Sequence, residues 1–157
     1  SSKRLKLTDV EDTRFLHCNI KTLNLLVNVM AAEKAESMGC GECVFHRGDV
    51  VTECAHSNVS IIKDGIFKTH PTDHYILPGI TRMHIIQICK DNGIPVDETP
   101  FTMAELMDAD EIIVSSSTKF CSPACEMNGT PIGGKAPELV KLIQEKYVEK
   151  FENETAN

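Results

Sequence analysis

The sequence has no tryptophan, and aromatic residues make up only 5% of its 157 positions. Long apolar runs are missing as well. Nothing approaches the ~20 consecutive apolar residues that a membrane-crossing helix needs. Basic residues are outnumbered by acidic ones, 16 against 23, and the formal net charge is -7. That balance argues against a nucleic-acid surface, although it leaves room for a local basic pocket that holds a phosphate. No charged-then-apolar stretch of the secretory type stands at the start of these residues, and no internal repeat or low-complexity linker interrupts them. The expected setting is the cytoplasm.

Hydrophobic residues reach 41%, and 157 residues suit one domain with a real core. Seven cysteines is an odd number, so free thiols in a reducing compartment are expected rather than a disulfide framework. Asn58-Val59-Ser60, Asn128-Gly129-Thr130 and Asn153-Glu154-Thr155 match glycosylation acceptors, which matter only in a secreted context. The first residues, Ser1-Ser2-Lys3-Arg4-Leu5-Lys6-Leu7, read as the middle of a longer chain.

Periodicity predicts a mixed α/β fold. Residues 4 to 9 alternate loosely as a strand, and Glu11 to Arg14 is a polar turn. An extended run from Phe15 to Ile20 gives way to a helix from about Leu23 to Met38, stopped by Gly39. Leu23, Leu26, Val27, Met30 and Ala31 recur at helical spacing and predict its buried face. Three hairpins are expected, turning at Arg47-Gly48-Asp49, Asp64-Gly65 and Asn128-Gly129. Helices are expected at Gly79 to Asp91, Met103 to Met107 (with a Thr102–Glu105 capping box) and Pro137 to about Phe151. Strands are expected around Ile94 to Thr99 and at Glu111 to Ser115.

Several residues suit chemistry. Lys21 stands where the extended run meets the helix; a lysine held there loses solvation, its pKa falls, and its amine can attack a carbonyl. Position alone favours a snorkelling lysine instead. Glu53 ends a strand beside a polar turn, where it is either a solvated rim residue or the partner of a buried cation. Gly79, Ile80 and Thr81 open a helix whose first N–H groups favour an anion. Ser116, Ser117 and Thr118 follow a strand, where α/β sheets commonly place ligands. Gly129 to Lys135 has phosphate-loop spacing, but Ala136 stands where Ser or Thr should meet magnesium. Cys40 and Cys43, with Cys121 and Cys125, offer a loose four-thiolate set, the basis of a non-enzyme alternative as a metal-binding module.

Taken in order, Cys18-Asn19-Ile20-Lys21-Thr22-Leu23-Asn24-Leu25-Leu26, Thr52-Glu53, His56-Ser57-Asn58-Val59, Thr69-His70-Pro71, Ile76-Leu77-Pro78-Gly79-Ile80-Thr81-Arg82 and Ser116-Ser117-Thr118 form a pattern. From Arg14 to Lys146 the chain resembles the class IV pyridoxal-phosphate aminotransferases, in particular the C-terminal domain of their D-amino-acid branch. That resemblance implies the fold-type IV architecture, a pseudo-barrel of strands with surrounding helices. It implies pyridoxal 5'-phosphate as cofactor, transamination between D-amino acids and 2-oxo acids, and a homodimer. Lys21 would be the Schiff-base lysine and proton shuttle, and Glu53 the partner of the pyridinium nitrogen. Leu77 would pack on the ring. Gly79, Ile80, Thr81, Ser116 and Ser117 would cradle the phosphate, with Arg14 close to it. His56, Ser57 and Asn58 would lie beside the cofactor.

Two departures stand out. Cys54-Ala55 replaces the family's usual Gly-Ser after the glutamate, and Lys119-Phe120-Cys121 replaces a more polar segment. The resemblance also implies a missing N-terminal domain, which in relatives supplies a phosphate-binding arginine and the residues that hold the substrate carboxylate. Aminodeoxychorismate lyase and branched-chain aminotransferase are the alternatives within the same family.

Overall fold

The fold is that of a computed structural model, which describes residues 4–14, 21–54, 57–71, 79–116 and 120–156, with the side chains of residues 21–24 and 151–156 outside that description. The elements run β1 (Leu5–Glu11), α1 (Lys21–Ser37), β2 (Glu42–Arg47), β3 (Val50–Cys54), β4 (Asn58–Lys63), β5 (Ile66–Thr69) and α2 (Ile80–Asp91). They continue as β6 (Val96–Asp97), α3 (Met103–Asp108), β7 (Glu111–Ser116), β8 (Phe120–Met127), β9 (Thr130–Pro131) and α4 (Pro137–Ala156).

The strands form one sheet in the order β3-β2-β1-β8-β7-β4-β5-β6, with β9 added to β8. β3 stands at one edge and β4 sits sixth in line, yet only residues 55–57 separate them in sequence. The Cys54 N–H donates to the Ser57 carbonyl at 2.9 Å across that connection. A flat sheet cannot bring its first and sixth strands together, so the sheet curls into a half-barrel. Inward-facing Leu7, Val44, Val51, Val59, Ile112 and Val114 fill it, and Phe101 and Leu106 close it from the α3 segment.

Helices cover the outside. α2 and α4 bring Ile85, Cys89, Val140 and Ile143 onto Ile62, Phe67 and Ile113. α1 packs on β2 through Ala31 and Ala35 against Cys43 and Phe45, with Val27 partly buried. This corrects the expected face of α1: Leu26 is 53% exposed and Met30 60% exposed. Small side chains, not the large ones, allow the helix to lie close on the strands. α1 also starts earlier than expected, at Lys21.

Turn chemistry behaves as the sequence suggests. Asp64 and Gly65 both take positive φ, 53° and 77°, and Asn128 and Gly129 do the same at 49° and 84°. Such turns match the twist of the strands they join. Thr102 and Glu105 form the capping box of α3. The strand expected around Ile94 to Thr99 shrinks to Val96–Asp97. The glycine-rich segment that mimics a phosphate loop holds an internal anion instead. The amides of Gly134 and Ala136 donate to the fully buried Glu111 carboxylate at 3.0 and 3.3 Å, and Arg4 pairs with it at 2.9 Å.

Candidate active site

The site begins with an irregularity in the β2–β3 pair. Val44 opposes Cys54 and His46 opposes Val51, so Phe45 alone faces two residues, Thr52 and Glu53. An extra residue of this kind is a β-bulge, which re-aims side chains and bends the strand. Thr52 shares its one hydroxyl proton between Asp12 Oδ2, at 3.0 Å, and the Phe45 carbonyl, at 3.2 Å. Glu53, 8% exposed, accepts from Arg14 Nη1 at 2.5 Å through Oε1.

Arg14 connects three elements. Its Nε and Nη2 make a two-pronged contact with Asp12, at 3.0 and 2.8 Å. Its guanidinium lies 4.2 Å from the centre of the Phe45 ring, a cation–π contact. Nη1 also reaches Asn28 of α1 at 3.5 Å. Burial works against the arginine's charge, but the bonds to Asp12 and the attraction of Glu53 hold its pKa above the usual value. Burial likewise pushes the Asp12 carboxyl upward, and the hydrogen bonds from Arg14 outweigh it, leaving the carboxyl below its ordinary range.

The same end of the half-barrel carries the other candidates. Asn58 opens β4 and pairs in register with Ser115, one residue before Ser116 at the end of β7. Gly79 is the N-cap of α2, and no side chain caps the helix there. A Cβ built on Gly79 would meet Asn58 Oδ1, so any larger residue here requires the Asn58 side chain to move. Thr81 is 6% exposed. Arg82 ties the first turn of α2 to the sheet, donating to the His70 carbonyl at 2.8 Å, Thr69 Oγ1 at 3.3 Å and Glu98 at 3.1 Å. The first N–H groups of α2 are thus left without a side-chain cap, the arrangement that favours an anion.

Of the residues expected from sequence, Glu53, Asn58, Gly79, Ile80, Thr81 and Ser116 share this rim. Arg14, expected beside a phosphate, makes its contacts with Asp12 and Glu53. The Ser57 hydroxyl donates to Glu42 at 2.9 Å and so ties the rim to β2. Lys21 is the first residue of α1, seven residues before Asn28, or ~10 Å along the helix. Its side chain lies outside the described residues, as do His56, Leu77 and Ser117. Asp12, Thr52 and Arg82 were not expected. Only the spacing of Asp12 and Arg14, flanking one residue of a turn, hinted at a local carboxylate–guanidinium contact.

The four cysteines weighed as a metal set are divided between packing environments, Cys43 against α1 and Cys121 against α2. Among the described residues no group of three or more His, Cys, Asp and Glu is placed to hold a metal. Cys40, Cys43, Cys89, Cys121 and Cys125 carry free thiols, as expected. Nor is any described helix long and apolar enough to cross a membrane.

Residues 2–127 match the family described as amino-transferase class IV. The chain is 46% identical over 142 residues to the D-alanine aminotransferase of Listeria monocytogenes, covering 90% of this chain and 49% of that one. It is 48% identical over 144 residues to the D-alanine aminotransferase of Staphylococcus haemolyticus, covering 89% and 51% respectively. Among solved structures it superposes on the branched-chain amino acid aminotransferase from Escherichia coli at a TM-score of 0.84. That match has 26% identity and covers 92% of this chain and 52% of that one. The chain therefore spans about half the length of the curated relatives it matches.

Proposed function

The chain belongs to the class IV aminotransferases, and from that premise we propose that it is the C-terminal, cofactor-binding domain of a pyridoxal-phosphate-dependent D-amino-acid transaminase. The reaction moves an amino group from a D-amino acid such as D-alanine to a 2-oxo acid such as 2-oxoglutarate, giving pyruvate and D-glutamate. The observation that carries this reading is the convergence of α1, which begins at Lys21, with Glu53 on one buried guanidinium. Identities of 46% and 48% to D-alanine aminotransferases favour D-amino acids over branched-chain substrates, since the likeness to the Escherichia coli branched-chain enzyme is 26%.

When bound, pyridoxal 5'-phosphate supplies an electrophilic carbon and a protonated ring that accepts electrons. The donor set fits that group. α2 offers uncapped N–H groups and the Thr81 hydroxyl to a dianion, and the close approach at Gly79 leaves the backbone accessible. Ser116 adds a hydroxyl from the end of β7. Glu53 would lie opposite the ring nitrogen and would hold a proton there by charge attraction. Lys21, the first residue of α1, would hold the cofactor through its amine and would serve as the base that moves a proton at the substrate Cα. Leu77, which lies outside the described residues, would cover the ring and exclude water. Residues of the other half of the enzyme complete the cleft and hold the substrate carboxylate, and two copies pair as a homodimer in the cytoplasm.

The test is an assay of the complete protein with D-alanine and 2-oxoglutarate, followed by borohydride reduction and peptide mapping. Pyruvate and D-glutamate in equal amounts, with the cofactor fixed to Lys21, are expected. Label on another lysine removes Lys21 from the site. Pyruvate released from 4-amino-4-deoxychorismate with no amino acceptor present, and none from D-alanine with 2-oxoglutarate, points to the lyase reading instead.

A further inference from the structure

Glu53 meets a difficulty that the fold itself answers. A carboxylate that touches an arginine at 2.5 Å is a poor partner for a second cation, because the guanidinium already satisfies much of its charge. A proton on a ring nitrogen facing the same carboxylate would be held weakly. We propose that Asp12 is a positioning residue that neutralises Arg14, so that the charge of Glu53 stays available to the cofactor ring. The inference rests on the functional reading given above for Glu53.

The geometry is specific. Arg14 gives Asp12 two prongs, Nε and Nη2, and gives Glu53 a single corner, Nη1. Parallel double contacts of this kind are the stronger ones. Asp12 is built to stay ionised in that role. Its side chain is 1% exposed and accepts from the Thr52 hydroxyl at 3.0 Å and from the Arg14 backbone N–H at 3.0 Å. Among the described residues the charged groups in contact with Asp12 are Arg14 and, at 3.5 Å, Arg47 of β2. Arg47 is 29% exposed along its side chain, so solvent screens it more than it screens Arg14, at 11%. α1 presents the uncharged Asn28 to the group. The charge of Asp12 thus offsets that of Arg14, so Asp12, Arg14 and Glu53 by themselves sum to one negative charge, with the more exposed Arg47 as the fourth charge beside them. The β-bulge makes this possible, because it places Thr52 and Glu53 opposite Phe45, one to hold Asp12 and the other to meet Arg14.

The experiment follows the ring nitrogen directly. The complete protein is reconstituted with pyridoxal phosphate labelled with ¹⁵N in the ring, and its ¹⁵N signal is titrated with pH for wild type, D12N, R14Q, D12N/R14Q and E53Q. D12N should move the ring titration to lower pH by about one unit or more, since the arginine, without its aspartate, now competes for Glu53. D12N/R14Q should return it to the wild-type position, which a merely structural role of Asp12 would not do. If D12N does not fold, R14Q and D12N/R14Q are compared: R14Q leaves Asp12 uncompensated and should move the ring titration to higher pH, and removing Asp12 as well should return it to the wild-type position. A D12N titration that overlays wild type, or a double variant that stays shifted, overturns the proposal. An E53Q titration that overlays wild type instead removes Glu53 from the ring nitrogen, and the functional reading fails separately.

Discussion

Asn58 Oδ1 stands 2.4 Å from the place where a Cβ on residue 79 would sit. The φ of Gly79 is -83°, which any residue can adopt, so it is space and not backbone strain that calls for glycine here. Gly79→Ala should push Asn58 or the start of α2 aside, and the first N–H groups of the helix move with it. The expected result is a Kd for pyridoxal phosphate raised about tenfold, a change of ~1.4 kcal/mol, with the far-ultraviolet circular dichroism unchanged. Equilibrium dialysis measures it, and an unaltered Kd would show that the Asn58 side chain gives way without moving the start of α2.

Glu53→Gln keeps the size and the hydrogen-bonding oxygen that Arg14 meets, but it removes the charge. Activity should fall on the order of 10²-fold or more, the usual scale for losing one preorganised electrostatic contact. The fold should persist. Steady-state rates with D-alanine check the first statement and a thermal melt checks the second.

Asp12 also links stability to acid. Its folded carboxyl is held below the ordinary aspartate value of 3.8 by Arg14, against the effect of burial. A lowered folded value means that the contribution is fully present above the unfolded value and is lost as pH falls through the folded one. Asp12→Asn should therefore cost about 3–5 kcal/mol at neutral pH, the scale for breaking a buried ion pair. Below the ordinary carboxylate range the variant and wild type should converge. Urea unfolding across that interval measures both arms.

Burial pushes the Cys43 thiol up to about 11 and the Cys89 and Cys121 thiols up to about 12. Only the thiolate is nucleophilic, so these three should resist iodoacetamide near pH ~8 in the native protein and react once it is unfolded. Mass spectrometry of the peptides distinguishes the two states. Native labelling of Cys121 would show that the α2–α4 layer opens readily.

How much of this was legible in the sequence varies with how local the cause is. The Asp64-Gly65 hairpin and the Thr102–Glu105 cap depend on neighbouring residues and could be read directly. The mixed α/β class and the order of the site segments could be read too. The buried face of α1 could not: Leu26 and Met30 fit the helical period, but Ala31 and Ala35 are what lie on β2. Periodicity identifies a stripe, and only the packed partner decides which side of it is used. The bulge opposite Phe45 and the grip of Asp12 on Arg14 depend on which strands become neighbours, and no local pattern signals that. The resemblance implies a phosphate near Arg14, and no local pattern signals that the same guanidinium also meets Asp12, Glu53 and the Phe45 ring.

β1 lies between β2 and β8, parallel to both, and pairs Leu5 with Ala124. A chain leaving the ribosome can form the β2–β3 and β4–β5 hairpins as they emerge. β1 gains one neighbour early, but its other edge must wait until almost the whole barrel has been synthesised. Closing so long a loop is slow, because the entropy is lost before the contact is made. During that interval the strand presents unpaired N–H and C=O groups, the usual template for wrong partners. β1 therefore keeps an open edge until β8 has been made, and the half-barrel closes only with one of its last strands.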